Sequence, residues 1–271
     1  MRPVCSILTE DDIKKIVKSA FELLETKGVV VHNRKALEIF EAGGAKVDYS
    51  SELALIPSHV VEKALELAPG NIKLYNSEGQ TAMDLGGYNV HYDPGSAAIN
   101  FLDHSTGEVR KPVTKDFVEF IQIVEQLKYI DAQSTALVCV DVPEEIADRY
   151  RLFLALKYGK KPVITGAFSI DAPSAMYEML CLLSGGPEAL REKPRAIFDV
   201  CPSPPLMWSD VTSQNLIDCA RWGIPYELVS MPLAGGTSPA TLAGALLQHT
   251  AENLSGVTLG QLACPGAKVI Y

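Results

Sequence analysis

Apolar positions along the 271-residue chain follow three patterns in succession. Behind a Thr9-Glu-Asp-Asp start, Ile13, Ile16, Val17, Ala20, Phe21, Leu23 and Leu24 recur at helical spacing. Thr9 is the expected N-cap, Asp12 its capping-box partner and Gly28 the stop. Residues 34–42 and 57–68 repeat the pattern as short amphipathic helices, the second opened by Ile56-Pro57-Ser58 and ended by Pro69-Gly70. From Asn71 to Pro112 the pattern becomes short β-prone pieces, 72–75, 82–85, 90–92 and 97–102, broken by turns containing Gly and Asn. After Thr114 strand and helix patterns alternate: helix 114–128, strand 134–140, helix 143–158, strand 162–168, helix 173–183, strand 196–201, helix 210–222 and strand 225–231.

The stretch from Pro225 to Tyr271 reads as a complete βαβ unit. A short apolar strand, 227–231, leads into the break Ala234-Gly-Gly-Thr-Ser-Pro. Ser238 is the expected N-cap and Pro239 the first helical residue, where a missing N–H is harmless. The helix is expected to run to about Cys264, with Ala243, Gly244 and Ala245 letting it lie close against a sheet. Pro265-Gly266 stops it, and 267–271 begins another strand.

Near-continuous apolar strands alternating with amphipathic helices predict a parallel sheet covered by helices. A doubly wound sheet that binds a nucleotide would carry GxGxxG or GxxxxGK[ST] after a strand, and neither occurs. The expected fold class is therefore α/β, a (β/α)8 TIM barrel. Counting from a strand near 90–99, about six strands are present by Tyr271, so the C-terminal part is expected to be missing. The expected division is a helical N-terminal extension with a small β meander over 1–89 and an incomplete barrel over 90–271. Such an open barrel exposes apolar edges and is expected to fold poorly alone.

Composition is that of an ordinary globular chain, 47% hydrophobic and 21% charged. A net charge of -9 with no run of Lys and Arg argues against nucleic acid as a partner. No apolar run reaches the roughly 18 residues of a bilayer span, and the N-terminus lacks a signal-peptide pattern, so no membrane and a cytoplasmic location are expected. Cysteines at 5, 139, 181, 201, 219 and 264 have no metal-ligand spacing; buried reduced thiols and no metal site are expected.

In parallel α/β folds ligands bind beyond the carboxyl ends of the strands. At those ends lie the turn 231–238, whose glycines either supply positive φ or let a ligand approach the backbone, and His91-Tyr-Asp-Pro-Gly, where Asp93 is either a turn former or a polar contact. The proline-stiffened loop 202–208 is long enough to cover a site, and Asp141 is a further polar candidate. His249 falls in mid-helix and reads as packing or surface.

The segment Pro232-Leu-Ala-Gly-Gly-Thr-Ser-Pro-Ala-Thr-Leu-Ala-Gly, continuing through Glu252-Asn-Leu to Gln261-Leu-Ala-Cys-Pro-Gly-Ala, resembles the trimethylamine methyltransferase (MttB) family. Gly28-Val-Val-Val-His, Tyr92-Asp-Pro-Gly and Lys161-Pro-Val-Ile-Thr-Gly resemble that family's first half. The resemblance implies a cytoplasmic TIM barrel that moves a methyl group from a methylated amine to the Co(I) of a corrinoid. The amine is trimethylamine or a quaternary amine such as glycine betaine. It also implies that the corrinoid (cobalamin) is presented by a partner corrinoid protein, with no cofactor bound tightly here; a homo-oligomer is expected. Some members carry pyrrolysine, at a position beyond Tyr271.

A methyl on a quaternary nitrogen is already activated, because a neutral tertiary amine leaves, so the protein has mainly to position donor and acceptor. A cation favours aromatic faces and a carboxylate. The substrate candidates are Tyr92, Asp93, Phe168 and Trp208, each with a rival reading as packing or turn. Gly235, Gly236 and Thr237 are the candidates for the approach to the corrinoid; no catalytic residue is assigned. Two rivals stand beside this reading. One is a TIM-barrel lyase acting on an anionic small molecule, which needs a Schiff-base Lys or metal carboxylates at strand ends; neither is evident, since Lys160 and Lys161 precede their strand. The other is a non-catalytic chain that docks a corrinoid protein.

Overall fold

The computed structural model describes residues 6–271. Thr9 caps α1 (Glu10–Thr26): its hydroxyl accepts the Asp12 N–H (3.2 Å) and the Asp12 carboxylate accepts the Thr9 N–H (3.3 Å), the reciprocal box expected from the sequence. Gly28 then takes a left-handed φ of 72° against the Ala54 carbonyl, where a Cβ would not fit, and turns the chain into β1 (Val29–Val31). Next come α2 (Arg34–Ala42), β2 (Lys46–Asp48), β3 (Leu53–Leu55), α3 (Ser58–Leu67), β4 (Asn71–Tyr75), β5 (Thr81–Gly86), β6 (Phe101–Leu102), β7 (Val109–Arg110) and α4 (Thr114–Gln126). The remainder is β8 (Gln133–Ser134), a 3-10 turn at Glu144–Ile146, α5 (Ala147–Tyr158), β9 (Val163–Thr165), α6 (Ala172–Ser184), α7 (Pro187–Glu192), β10 (Ala196–Val200), β11 (Met207–Trp208), α8 (Asp210–Trp222), β12 (Tyr226–Leu228), α9 (Leu242–Ala263) and β13 (Val269–Ile270).

The architecture is mixed α/β around a five-stranded parallel sheet in the order β13-β12-β10-β9-β8. Its two faces follow from strand alternation. Val163, Ala196, Phe198, Val200, Tyr226 and Leu228 pack into the main core on the helix side. Ala132, Ile164, Ile197 and Ile270 point the other way and pack against Leu74, Met83 and Leu85 of the β4–β5 hairpin. That hairpin is fastened to the amino ends of the strands, where the Tyr75 N–H meets the Pro194 carbonyl (2.9 Å) and the Ser77 N–H that of Lys160 (2.8 Å). The carboxyl ends are left open.

Helix α9 is the centre of the packing. Apart from His249, every residue from Gln248 to Gln261 is buried, because the sheet and α8 cover one side while α1, α2 and α3 cover the other. Several of its polar side chains are satisfied locally: Thr250 and Thr258 donate to carbonyls one turn back (both 2.8 Å), and Gln261 donates to the Ala267 carbonyl (2.8 Å). The close approach to the sheet is made by Gly256, against Leu228 and Trp208, and Gly260, against the Tyr226 hydroxyl, not by Ala243 to Ala245. Gly244 instead leaves room for Pro239 and Thr241 as the chain folds back over the helix start.

Several sequence expectations are corrected. The first 68 residues hold three strands besides their helices, in a four-stranded sheet ordered β11-β1-β3-β2. In that sheet β1 pairs parallel with Met207–Trp208, so the 202–208 loop is tied down as a strand and does not arch over a site. Residues 90–92 form no strand. The segment runs irregularly beside β8, joined by Asp131 N–H to Tyr92 O (2.8 Å), Ala98 N–H to Ala136 O (2.8 Å) and Val138 N–H to Ala98 O (3.0 Å). Helix α9 starts three residues after Pro239, with Thr241 as N-cap accepting the Gly244 N–H (3.2 Å); Ser238 is no cap, because the 233–238 hairpin holds it outside the helix. Cys139 and Cys219 are buried free thiols, but Cys181, Cys201 and Cys264 are only half-buried; Cys5 lies outside the described residues. Among the described residues no helix is long and apolar enough to cross a membrane.

Candidate functional site

At the open carboxyl end two carboxylates face each other. Asp199 stands two residues beyond Ile197 and so shares its face, away from the helices. Glu227 is paired in register with both Asp199 and Ile270, which puts it on that face too. Gly166, just past β9, lies alongside: a Cβ there would stand 3.6 Å from Asp199 Cβ, an ordinary van der Waals contact. One Asp199 oxygen, Oδ1, is buried and has no hydrogen-bond donor. Burial first, then the adjoining Glu227 carboxylate, hold Asp199 well above the usual carboxylate range; Asp93 adds to the push and Arg151 opposes it. Cys201, two residues after Asp199, is pushed up to about 11 by burial and by Asp199, so it stays a thiol at neutral pH.

The first turns of α5 serve the same end of the sheet. Asp148 accepts the N–H groups of Arg149 (2.8 Å) and Phe168 (3.1 Å), which fixes the loop after β9. Arg151 is buried, donates through Nη1 to the Thr135 carbonyl (2.7 Å), and lies under the Phe168 ring, 4.6 Å from its centroid. On the helix side Glu252 of α9, fully buried, accepts from the Leu206 N–H (2.9 Å), from Gln248 Nε2 (2.9 Å) and from the Ser230 hydroxyl, joining the end of β12 to the 202–208 strap.

Of the residues singled out in the sequence, Asp93 and Phe168 stand with the acid pair. Asp93 makes the turn contact as well, accepting the Gly95 N–H at 2.7 Å, and its charge reaches Asp199. Phe168 is 57% exposed. Tyr92, 62% exposed, marks the start of the segment beside β8. Trp208 does not belong with them: it is 0% exposed, and its Nε1–H donates to Ser255 Oγ (2.9 Å) inside the core, leaving no ring face for a ligand. Gly235, Gly236 and Thr237 form an exposed hairpin beyond β12, in which only Gly235 has a positive φ (78°) and Thr237 Oγ1 accepts the Leu233 N–H (2.9 Å). Their turn does not run directly into helix N–H groups, since α9 begins at Leu242.

Asp141 caps α4, accepting the Thr114 N–H (2.9 Å). Lys161 donates to three carbonyls at the end of α4, and Lys160 pairs with Glu78 (3.0 Å), so neither is a free amine. His249 rests on Asn253 and Tyr271. Asp199 and Glu227 do bring two carboxylates to the strand ends, but among the described residues no group of three or more His, Cys, Asp or Glu could hold a metal ion. Sequence reasoning passed over this pair and Arg151. The available signal was a single acidic residue inside each of two otherwise apolar strands, Ala-Ile-Phe-Asp-Val and Tyr-Glu-Leu. A cavity of about 470 Å³ between α2, α3 and α9 lies elsewhere, lined by Ile39, Gly43, His59, Val60, Lys63 and Leu262 among others.

Comparison with known proteins gives a consistent family. The family model described as trimethylamine methyltransferase (MTTB) matches residues 1–271. Trimethylamine methyltransferase MttB of Desulfitobacterium hafniense (strain DSM 10664 / DCB-2) is 30% identical over 97% of this chain and 53% of its own length. The protein of the same name from Methanosarcina barkeri (strain Fusaro / DSM 804) is 31% identical over 98% of this chain and 55% of its own. Glycine betaine methyltransferase of Desulfitobacterium hafniense (strain Y51) is 28% identical over 99% of this chain and 56% of its own. The chain spans about half the length of the curated relatives it matches.

Proposed function

Because the chain belongs to the trimethylamine methyltransferase family, we propose that the whole protein moves a methyl group from a small methylated amine to the Co(I) of a corrinoid carried by a partner protein, and that the open end of the parallel sheet holds the amine. The observation that carries the placement is the acid pair: Asp199 and Glu227, side by side at the open end of the sheet, with Asp93 adding negative charge. A cationic methylated nitrogen relieves the like-charge crowding there and replaces the water its charge would otherwise keep. The rim residues Tyr92, Phe168, Met231 and Leu233 are exposed and apolar, a surface that suits the edge of a macrocycle and its protein carrier.

The corrinoid, when present, supplies the nucleophile. The residues of this chain then have two tasks: the acid pair holds the nitrogen, and the exposed Phe168 ring, stacked on the Arg151 guanidinium, gives the site an apolar edge. Strand order supports a TIM barrel for the whole protein, since each strand of the parallel sheet adds beside its predecessor and segment 92–98 takes the next place. On that reading residues 90–271 supply the barrel wall and 1–89 cover α9 and the amino end.

The test is spectroscopic. The full-length protein is mixed with reduced corrinoid protein, and the Co(I) absorbance is followed as trimethylamine, glycine betaine and carnitine are added in turn. Loss of the Co(I) band with one of them is the expected result. A band unchanged by the whole panel would remove the methyl-transfer reading.

A further inference from the structure

Arg151 is a buried charge that makes no direct ion pair among the described residues. It is 2% exposed, its Nη1 meets only the neutral Thr135 carbonyl, and its Nε is buried with no acceptor. The carboxylate one turn before it, Asp148, is committed to the N–H groups of Arg149 and Phe168 and forms its ion pair with Arg149. Asp148 and Asp199 act on it only at longer range, and a guanidinium removed from water with no carboxylate in direct contact is costly to keep, so an anionic partner that completes its hydrogen bonds is the economical explanation. The Phe168 ring lies over it, and that ring is more than half exposed, so turning one side chain uncovers the guanidinium. Gly166, two residues before Phe168, is the residue that abuts Asp199. Neighbouring strand ends thus present opposite charges, the acid pair on one side and Arg151 on the other.

A simple ammonium ion uses only half of this arrangement and is repelled by the other half. A molecule with both charges uses all of it. We propose that Arg151 recognises a carboxylate on the methyl donor, so that the donor is a betaine-like zwitterion with its methylated nitrogen toward Asp199 and Glu227, and not trimethylamine. This rests on the methyl-donor reading above. A guanidinium and a carboxylate form charge-assisted, often bidentate hydrogen bonds that a hydroxyl cannot reproduce.

Calorimetric titration of the full-length protein with glycine betaine, choline and tetramethylammonium tests it. Choline keeps the trimethylammonium group and carries a hydroxyl in place of the carboxylate. Glycine betaine is expected to bind at least about tenfold more tightly than choline. Arg151→Met should abolish that preference by weakening glycine betaine alone, and Arg151→Lys should restore part of it. Equal affinities in the unsubstituted protein, or a preference that survives Arg151→Met, overturn the assignment while the methyl-donor reading stands. No binding of any of the three overturns the assignment, and the methyl-donor reading is then decided separately by the Co(I) assay with trimethylamine. Should Arg151→Met fail to fold, the comparison of glycine betaine with choline in the unsubstituted protein and in Arg151→Lys decides the matter.

Discussion

Asp199 and Glu227 stand in register on adjacent parallel strands, and one Asp199 oxygen is buried without a donor. In the folded protein burial and Glu227 raise the Asp199 carboxyl to about 9, from about 3.9 in an unfolded chain. The native state therefore keeps a proton that the unfolded state releases. The stability this group contributes is fully present below about pH 4 and is lost as pH rises towards 9, with a slope of up to about 1.4 kcal/mol per pH unit. Asp199→Asn keeps the shape and removes the titration. Urea midpoints at pH 6 and pH 9 should fall with pH for the unsubstituted protein and stay nearly level for the variant; parallel behaviour would mean that another group titrates.

Gly260 of α9 lies directly against the Tyr226 hydroxyl, which is itself buried and without a partner. Gly260→Ala forces these apart and should cost about 1–3 kcal/mol. Tyr226→Phe removes an unsatisfied hydroxyl and should be neutral or stabilising, and it should recover part of the loss when combined with Gly260→Ala. A double-mutant cycle by chemical denaturation reads the coupling; strictly additive changes would contradict the contact.

Trp208 is held in the core by Ser255 and by the flat surface of Gly256. Trp208→Phe should lower stability by about 1–3 kcal/mol through the lost hydrogen bond and the space left behind. Its affinity for a quaternary ammonium, measured well below the unfolding transition, should not change. A specific loss of affinity with normal stability would return the indole to the binding site.

The start of α9 separates two candidate caps. Thr241→Ala removes the hydroxyl that accepts the Gly244 N–H and should cost about 1 kcal/mol. Ser238→Ala, outside the helix, should stay within about 0.5 kcal/mol of the parent. The reverse order in thermal unfolding would place the cap where the sequence first suggested it.

Much of this fold is written locally. Thr9 and Asp12 announce α1 because a cap needs only four residues, and the bounds of α2 and α8 follow from periodicity alone. What escaped was non-local. Val29–Val31 is too short to register as a strand until Met207–Trp208 comes to pair with it from the far end of the chain. Ser238-Pro239 has the form of a helix start, but the backbone bonds of the 233–238 hairpin hold those residues out of α9. The same limit applies to the site. Phe168 and Asp93 sit at strand ends and could be suspected, whereas Arg151 is one of three arginines and lysines in its helix and only burial distinguishes it. Asp199 and Glu227 become a pair through strand register, which one strand's sequence does not carry.

The central claim is that the acid pair holds a methylated, positively charged nitrogen, and calorimetric titration with tetramethylammonium, which has no other recognisable group, tests it most directly. The Asp199→Asn, Glu227→Gln double variant keeps side-chain shape and removes the charge. The account predicts that the unsubstituted protein binds the ion and that the folded double variant binds it at least about tenfold more weakly. Equal binding by both proteins would contradict the account.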